Sequence, residues 1–163
     1  MNQQIQNQLK NLDISRLRLA NGRKLETELG NHARLLADCL KLELNNVYMD
    51  YAPVMYRRTK QLLDSIKVDV RTRFNRNGTK YELSVQVYFD QGSIHTGLDG
   101  LPADVEVLLN EGWQTHGAFQ NVPYFGYREG THYIEWGVYR YRKFEQTHFP
   151  IRLRIAGEER IFK

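Results

Sequence analysis

A chain of 163 residues, 41% hydrophobic and 12% aromatic, is long enough for one domain with its own core and short for two. The single cysteine, Cys39, excludes an internal disulfide framework, and a net charge of +4 puts no extreme bias on partners. No apolar run nears the roughly 20 residues of a membrane span and no signal peptide opens the chain, so a cytoplasmically made protein without a membrane partner is expected.

Ile5, Leu9 and Leu12 are spaced for a short amphipathic helix, while their Asn- and Gln-rich surroundings equally fit an arm over residues 1–22 that orders on a partner. Asn21-Gly22 is a turn signal. From residue 24 to 50, Leu25, Leu29, Ala33, Leu36, Leu40, Leu44 and Val47 recur every three or four residues, tracing the apolar stripe of a long helix. Gly30 costs that helix up to about 1 kcal/mol relative to alanine, which allows an interruption there. Pro53 ends the pattern, and a short helix is expected from Tyr56 to Ser65. The period then changes to 2. Ile66, Val68, Val70 and Phe74 alternate with Lys67, Asp69, Arg71 and Arg73. After an Asn-Gly turn, Tyr81, Leu83, Val85, Val87 and Phe89 alternate with polar neighbours, giving a hairpin with one buried face and one wet face.

Residues 91–100 read as a glycine-containing loop. Pro102 suits a helix start, Val105, Leu108 and Leu109 form a one-sided face, and Gly112 suits the helix end. Residues 113–130 read as a long loop, of the sort that is often a functional or partner-ordered element. Residues 131–146 are ambiguous: Ile134, Val138 and Tyr141 fit a helical face, whereas Val138 to Arg142 favours a strand by composition. A helix is the preferred reading. Phe149, Ile151, Leu153 and Ile155 alternate with Pro150, Arg152 and Arg154, supplying a third strand for the same sheet. The expected architecture is a single α+β domain over residues 1–163. A small, mainly antiparallel sheet packs against the long N-terminal helix, with additional short helices.

Charge is segregated along the chain. Residues 57–80 carry eight basic and two acidic side chains (+8 − 2 = +6), while residues 81–127 carry six acidic and no lysine or arginine (−6). Arg57, Arg58, Lys60, Arg71, Arg73 and Arg76 are the interface candidates of the basic block. Asp99, Asp104, Glu106 and Glu111 are those of the acidic one. Blocks of equal and opposite charge steer association, and copies meeting head to tail close into a ring. The other reading is two solvated faces that neutralise each other within one fold. The wet faces of the first and third strands are basic, so the positive patch is expected there.

Little in the chain points to catalysis, and no catalytic, cofactor-binding or metal residue is assigned. The five histidines never fall at the close spacing of zinc motifs. His132 and Glu135 share a helical face, a two-ligand fragment only. Cys39 lies on the apolar stripe, where a buried, inert thiol is expected. Ser65 and Ser93 have no adjacent base in sequence, and no nucleophile elbow or phosphate-binding loop is present. As paired carboxylates, Asp99 with Asp104, or Asp104 with Glu106, are indistinguishable by sequence from helix-start charges that favour the macrodipole. The basic strand faces, with Tyr139-Arg-Tyr-Arg-Lys143, have the residue types for phosphate contact and base stacking.

The segment Tyr51-x-Pro53-x-x-Tyr56-x-Arg58-Thr59-x-x-Leu62-Leu63-x-Ser65-Ile66 resembles the signature of the tail-completion, or head–tail joining, proteins of long-tailed bacteriophages. Members commonly show a long N-terminal helix, a Pro-x-x-Tyr-x-Arg-Thr-like element, and strands beginning after a Ser-Ile-like pair. The matching parts span roughly residues 24–90, and Lys60 stands where many relatives carry glycine. In physical terms Pro53 stops the helix, and Tyr51 and Tyr56 pack flat with their hydroxyls reaching polar partners. Thr59, Leu62 and Leu63 seat the short helix, and Arg58 is suited to a forked pair with a carboxylate. The resemblance implies a non-enzymatic virion protein at the head–tail junction or in the tail. Its partners would be other copies in a ring, the connector and tail-tube proteins, and genomic DNA in the channel. A small basic nucleic-acid-binding domain is the alternative, and a hydrolase with a distributed metal site is a third reading that would require bound metal.

Overall fold

The computed structural model describes residues 16–50, 61–77, 80–90, 94–96, 102–114, 127–146, 151–156 and 158–162. Helix α1 (Leu25–Asp50) is followed by the short α2 (Gln61–Ser65), which runs directly into strand β1 (Ile66–Asn77) and its partner β2 (Lys80–Phe89). Next come β3 (Ile94–Thr96), β4 (Pro102–Asp104), α3 (Val105–Glu111), β5 (Gly112–Gln114) and β6 (Tyr127–Glu129). Helix α4 (Tyr133–Glu145) precedes a C-terminal hairpin of β7 (Ile151–Ile155) and β8 (Glu158–Phe162).

Ala33, Leu36, Ala37, Leu40 and Leu44 are all buried on α1, so its sequence periodicity is its packing face. Glu26 and Glu28 in the first turn complement the helix dipole. The helix runs 26 residues without the interruption that Gly30 allowed. Gly30 is buried there, and a Cβ on it would stand 3.8 Å from the Val70 side chain of β1. Ahead of α1 the chain reverses at Gly22, whose φ of +81° glycine tolerates without strain. The Leu25 N–H then donates to the Leu17 carbonyl at 3.0 Å. Residues 16–22 of the expected partner-ordered segment are thus bonded onto the helix start. Ile5, Leu9 and Leu12 lie outside the described residues.

The four-stranded sheet has the order β1-β2-β7-β8. Its outer pairings are antiparallel and the central β2–β7 pairing is parallel. Ile151, Leu153 and Ile155 are buried while Arg152 and Arg154 are exposed, the alternation expected of a strand covered on one face. Leu153 stands beside Val87, which stands opposite Val68, so one apolar row crosses three strands. Val87 and Leu153 are buried and each stabilises the fold by about 1.5–3 kcal/mol relative to exposure, while the partly buried Val68 contributes less.

Helix α1 lies over β1 and β2, and α4 packs alongside α1. Tyr133 of α4 meets Phe89 of β2 edge to face, and Arg142 donates from Nη2 to the Phe162 carbonyl of β8 at 2.8 Å. The helices therefore form one layer on one face of the sheet. The α+β architecture is as the sequence predicts, including α4 at the ambiguous segment.

Four local expectations are corrected. Residues 91–100 are not simply a loop, because β3 pairs antiparallel with β4. Pro102 belongs to β4, and α3 begins only after Asp104. The ends of the long 113–130 loop are held together as the β5–β6 ladder, with Trp113 opposite Arg128. Val70, expected in the core, is 43% exposed: its side chain faces Gly30 of α1 but sits on the sheet-edge strand, where the β1–β2 register slips between Asp69 and Arg73. Strand β8 was not anticipated at all.

Candidate functional site

Of the motif residues, Leu62, Leu63 and Ser65 are described, and all three serve packing. Leu62 and Ser65 are buried, and Leu63 packs against the core from a half-buried position. The Ser65 hydroxyl donates to the Leu62 carbonyl at 2.7 Å, and the Asp90 N–H donates to the Ser65 carbonyl at 2.9 Å. This serine closes α2 and ties the end of β2 to the start of β1. Tyr51, Pro53, Tyr56, Arg57, Arg58, Thr59 and Lys60 lie outside the described residues.

The sheet's outer face is less uniformly basic than the strand sequences imply. Register sets Lys67, Tyr88, Arg154 and Glu159 side by side across all four strands. Lys67 lies 3.7 Å from Asp90, and Arg152 lies 3.7 Å from Glu159. Strand β2 also separates the two basic strands. Arg71, Arg73 and Arg76 occupy the far half of β1, a sheet-edge strand.

The acidic block does not form one surface either. Asp104 is half-buried at the N-cap of α3 without a side-chain capping bond. Glu111 is paired with Arg160 of β8. Glu106, expected at an interface, is 1% exposed and accepts from the Ala156 N–H at 3.3 Å. Asp99 lies outside the described residues. An open groove is lined by Asp104, Leu108, Glu111, Ile155 and Arg160, and its lining contains no cysteine, serine, threonine or histidine.

What the segment 102–133 does build is a buried polar junction that sequence reasoning missed. The N-cap residue of α4, His132, makes no side-chain capping bond and has a φ of 51°. The cap comes instead from Asn110 of α3, whose Oδ1 accepts from the Ile134 N–H at 2.9 Å. Asn110 Nδ2 donates to Glu135 Oε1 at 3.2 Å. One amide side chain thus satisfies an orphan donor of a helix that begins 23 residues later in the chain.

Next to it, Tyr133 is buried with no partner for its hydroxyl, and Glu106 Oε2 is likewise unpartnered. Burial first, then the Glu106 carboxylate, holds the Tyr133 phenol well above its usual 10.0. The unfolded chain therefore ionises first, and the stability tied to this phenol is lost as pH rises above about 10. Tyr133→Phe removes a buried group that makes no bond, so its Tm should equal or exceed that of the unsubstituted protein near pH 7. Its loss of stability between neutral pH and pH above about 10 should also be smaller. Thermal melts at both pH values check this, and a Tm drop near neutrality would show that the hydroxyl is satisfied.

No group of three or more metal-ligating side chains occurs among the described residues. Glu135 Oε1 accepts from Asn110, and no third metal-ligating side chain joins the His132–Glu135 fragment among the described residues. Cys39 is buried at 4% exposure, and burial pushes its thiol up, with Arg140 working in the opposite sense. That environment disfavours the reactive thiolate.

Helix α4 carries the Tyr139-Arg-Tyr-Arg-Lys143 segment, suited by sequence to phosphate contact and base stacking. However, Tyr141 is buried, Arg140 is paired with Glu43 and Arg142 donates to the Phe162 carbonyl, so the segment does not form one basic surface. With Ile134, Gly137, Val138 and Tyr141 buried, the opposite side presents Trp136 and Tyr139, whose rings meet edge to face at 5.9 Å. Both follow from the helical period once Ile134, Val138 and Tyr141 point inward. No helix among the described residues is long and apolar enough to cross a membrane. No protein-family model, curated protein or solved structure matches this chain.

Proposed function

We propose that the chain is a non-enzymatic structural protein of a tailed-phage particle, joining head connector and tail as a ring of its own copies around the DNA path. The observation that carries this reading is the order of the motif and its flanks. A long helix precedes it, and its Leu62-Leu63-x-Ser65 end forms α2, which passes into β1 at Ile66. The family signature has that same helix, motif and strand sequence. Because Glu106 is buried and Glu111 is paired within the fold, neighbour contacts fall to the basic side, at Arg71, Arg73 and Arg76 on the edge strand.

Electron microscopy of a lysate from the parent phage lacking this gene tests the reading. Separate DNA-filled heads and finished tails are expected, with joined particles restored by complementation. Normal infectious particles would overturn it. One observation favours the second reading, a nucleic-acid-binding domain: Arg152 and Arg154 are both exposed on β7. Salt-sensitive retention of the isolated protein on DNA, through released counterions, would move that reading forward.

A further inference from the structure

Helix α4 carries an outward aromatic face anchored on a rigid inner one. Trp136 is 57% exposed and Tyr139 58%, while Phe144, 66% exposed in the last turn, lies to the side of that pair. The inner side cannot roll to hide them, because Gly137 sits against Leu40 of α1 and Arg140 is paired with Glu43. A tryptophan and a tyrosine fixed one turn apart on a helix are the residue types that anchor protein interfaces.

The charge on the same helix identifies the occupant. Glu135 lies in the first turn and Lys143 in the last, both exposed, while Arg142 is turned to the Phe162 carbonyl. Glu135 and Lys143 stand symmetrically about Tyr139, about 12 Å apart along the axis at 1.5 Å per residue. Two copies laid antiparallel about a twofold near Tyr139 bring the Lys143 end of each helix beside the Glu135–Trp136 end of the other. That arrangement pairs opposite charges twice, opposes the helix dipoles, and sets each ammonium against an indole. A parallel arrangement would set like ends together.

We propose that the outward face of α4 is a self-docking surface, and that its occupant is α4 of a second copy of this chain in an isologous pair. The proposal does not rest on the head–tail reading, and either can fail alone.

Sedimentation equilibrium of the full chain tests it. The unsubstituted protein is expected to dimerise. Trp136→Ala with Tyr139→Ala should raise the dimer Kd at least about tenfold while leaving the helical signal of the far-ultraviolet circular dichroism in place. Lys143→Glu, at an exposed position, should weaken the dimer alone. It should associate again when mixed with Glu135→Lys, because every cross-contact in that heterodimer pairs opposite charges. Glu135 also accepts from Asn110, so Lys143→Glu is the variant that decides if Glu135→Lys fails to fold. A monomer at every concentration would overturn the proposal, because the face would then belong to another partner. So would a dimer indifferent to the aromatic pair or to Lys143→Glu.

Discussion

Gly130→Ala should lower the unfolding free energy by about 3 kcal/mol, near the upper end of the usual overpacking range. Thermal melts would show it as a fall of roughly 2–4 °C in Tm for each kcal/mol. A Cβ at this position would stand 2.4 Å from the Asn110 carbonyl oxygen, 2.5 Å from the Glu111 carbonyl carbon and 2.7 Å from the Glu111 oxygen. All three are backbone atoms, so no side chain can rotate away to relieve the contact. The strand of chain that must move is also the one that satisfies the C-terminus of α3. The Thr131 N–H and hydroxyl both donate to the Leu109 carbonyl, at 3.0 and 2.8 Å, and the His132 N–H donates to the Asn110 carbonyl at 2.9 Å. These are carbonyls that a helix end leaves without partners. Shifting residues 130–132 to admit a methyl group would strip those bonds and draw Asn110 off the start of α4. A Tm unchanged by the substitution would mean that this junction is loose, and that Asn110 does not fix where α4 begins.

That junction also shows where sequence reading runs out. Helix α1 was legible because its apolar residues recur on one side for its whole length, and β7 because its alternation is strict. Glu106 and Asn110 were not legible, since their burial depends on groups elsewhere in the chain, at Ala156 and Ile134. No local pattern marks a polar residue that caps another element. Strands β3 to β6 are three residues each, too short to show a period. Val70 fits the alternation of β1 and faces α1, but that β1 lies at the sheet edge is a property of the whole sheet and not of the strand alone. Strand β8 reads Glu-Glu-Arg-Ile-Phe, and charges of this sort protect a sheet edge while hiding the strand from a hydrophobicity scan. The candidate surface on α4 was half visible. Ile134, Val138 and Tyr141 gave its inner face, and the outward placement of Trp136 and Tyr139 follows from the same turn angle.

The seam beneath that surface supports the second large effect. Leu40→Ala should cost about 2–5 kcal/mol, because Leu40 is 0% exposed and its removal leaves a cavity between two packed helices. Across the seam, a Cβ on Gly137 would stand 2.7 Å from Leu40 Cδ2 and 3.0 Å from Leu40 Cα. Gly137→Ala therefore gains up to about 1 kcal/mol of helix propensity and loses about 1–3 kcal/mol to overpacking, for a net loss. The two changes relieve each other when combined, since the added methyl moves into space that Cδ2 vacates. The double variant should be more stable than the sum of the single losses predicts, by about 0.5–3 kcal/mol. Urea unfolding of all four proteins, with m constant across the set, measures that coupling. Strict additivity would mean that Leu40 moves aside at no cost and that the glycine does not set the distance between α1 and α4. Positive coupling would tie the spacing of the two helices to one leucine and one glycine, and with it the direction in which Trp136 and Tyr139 face.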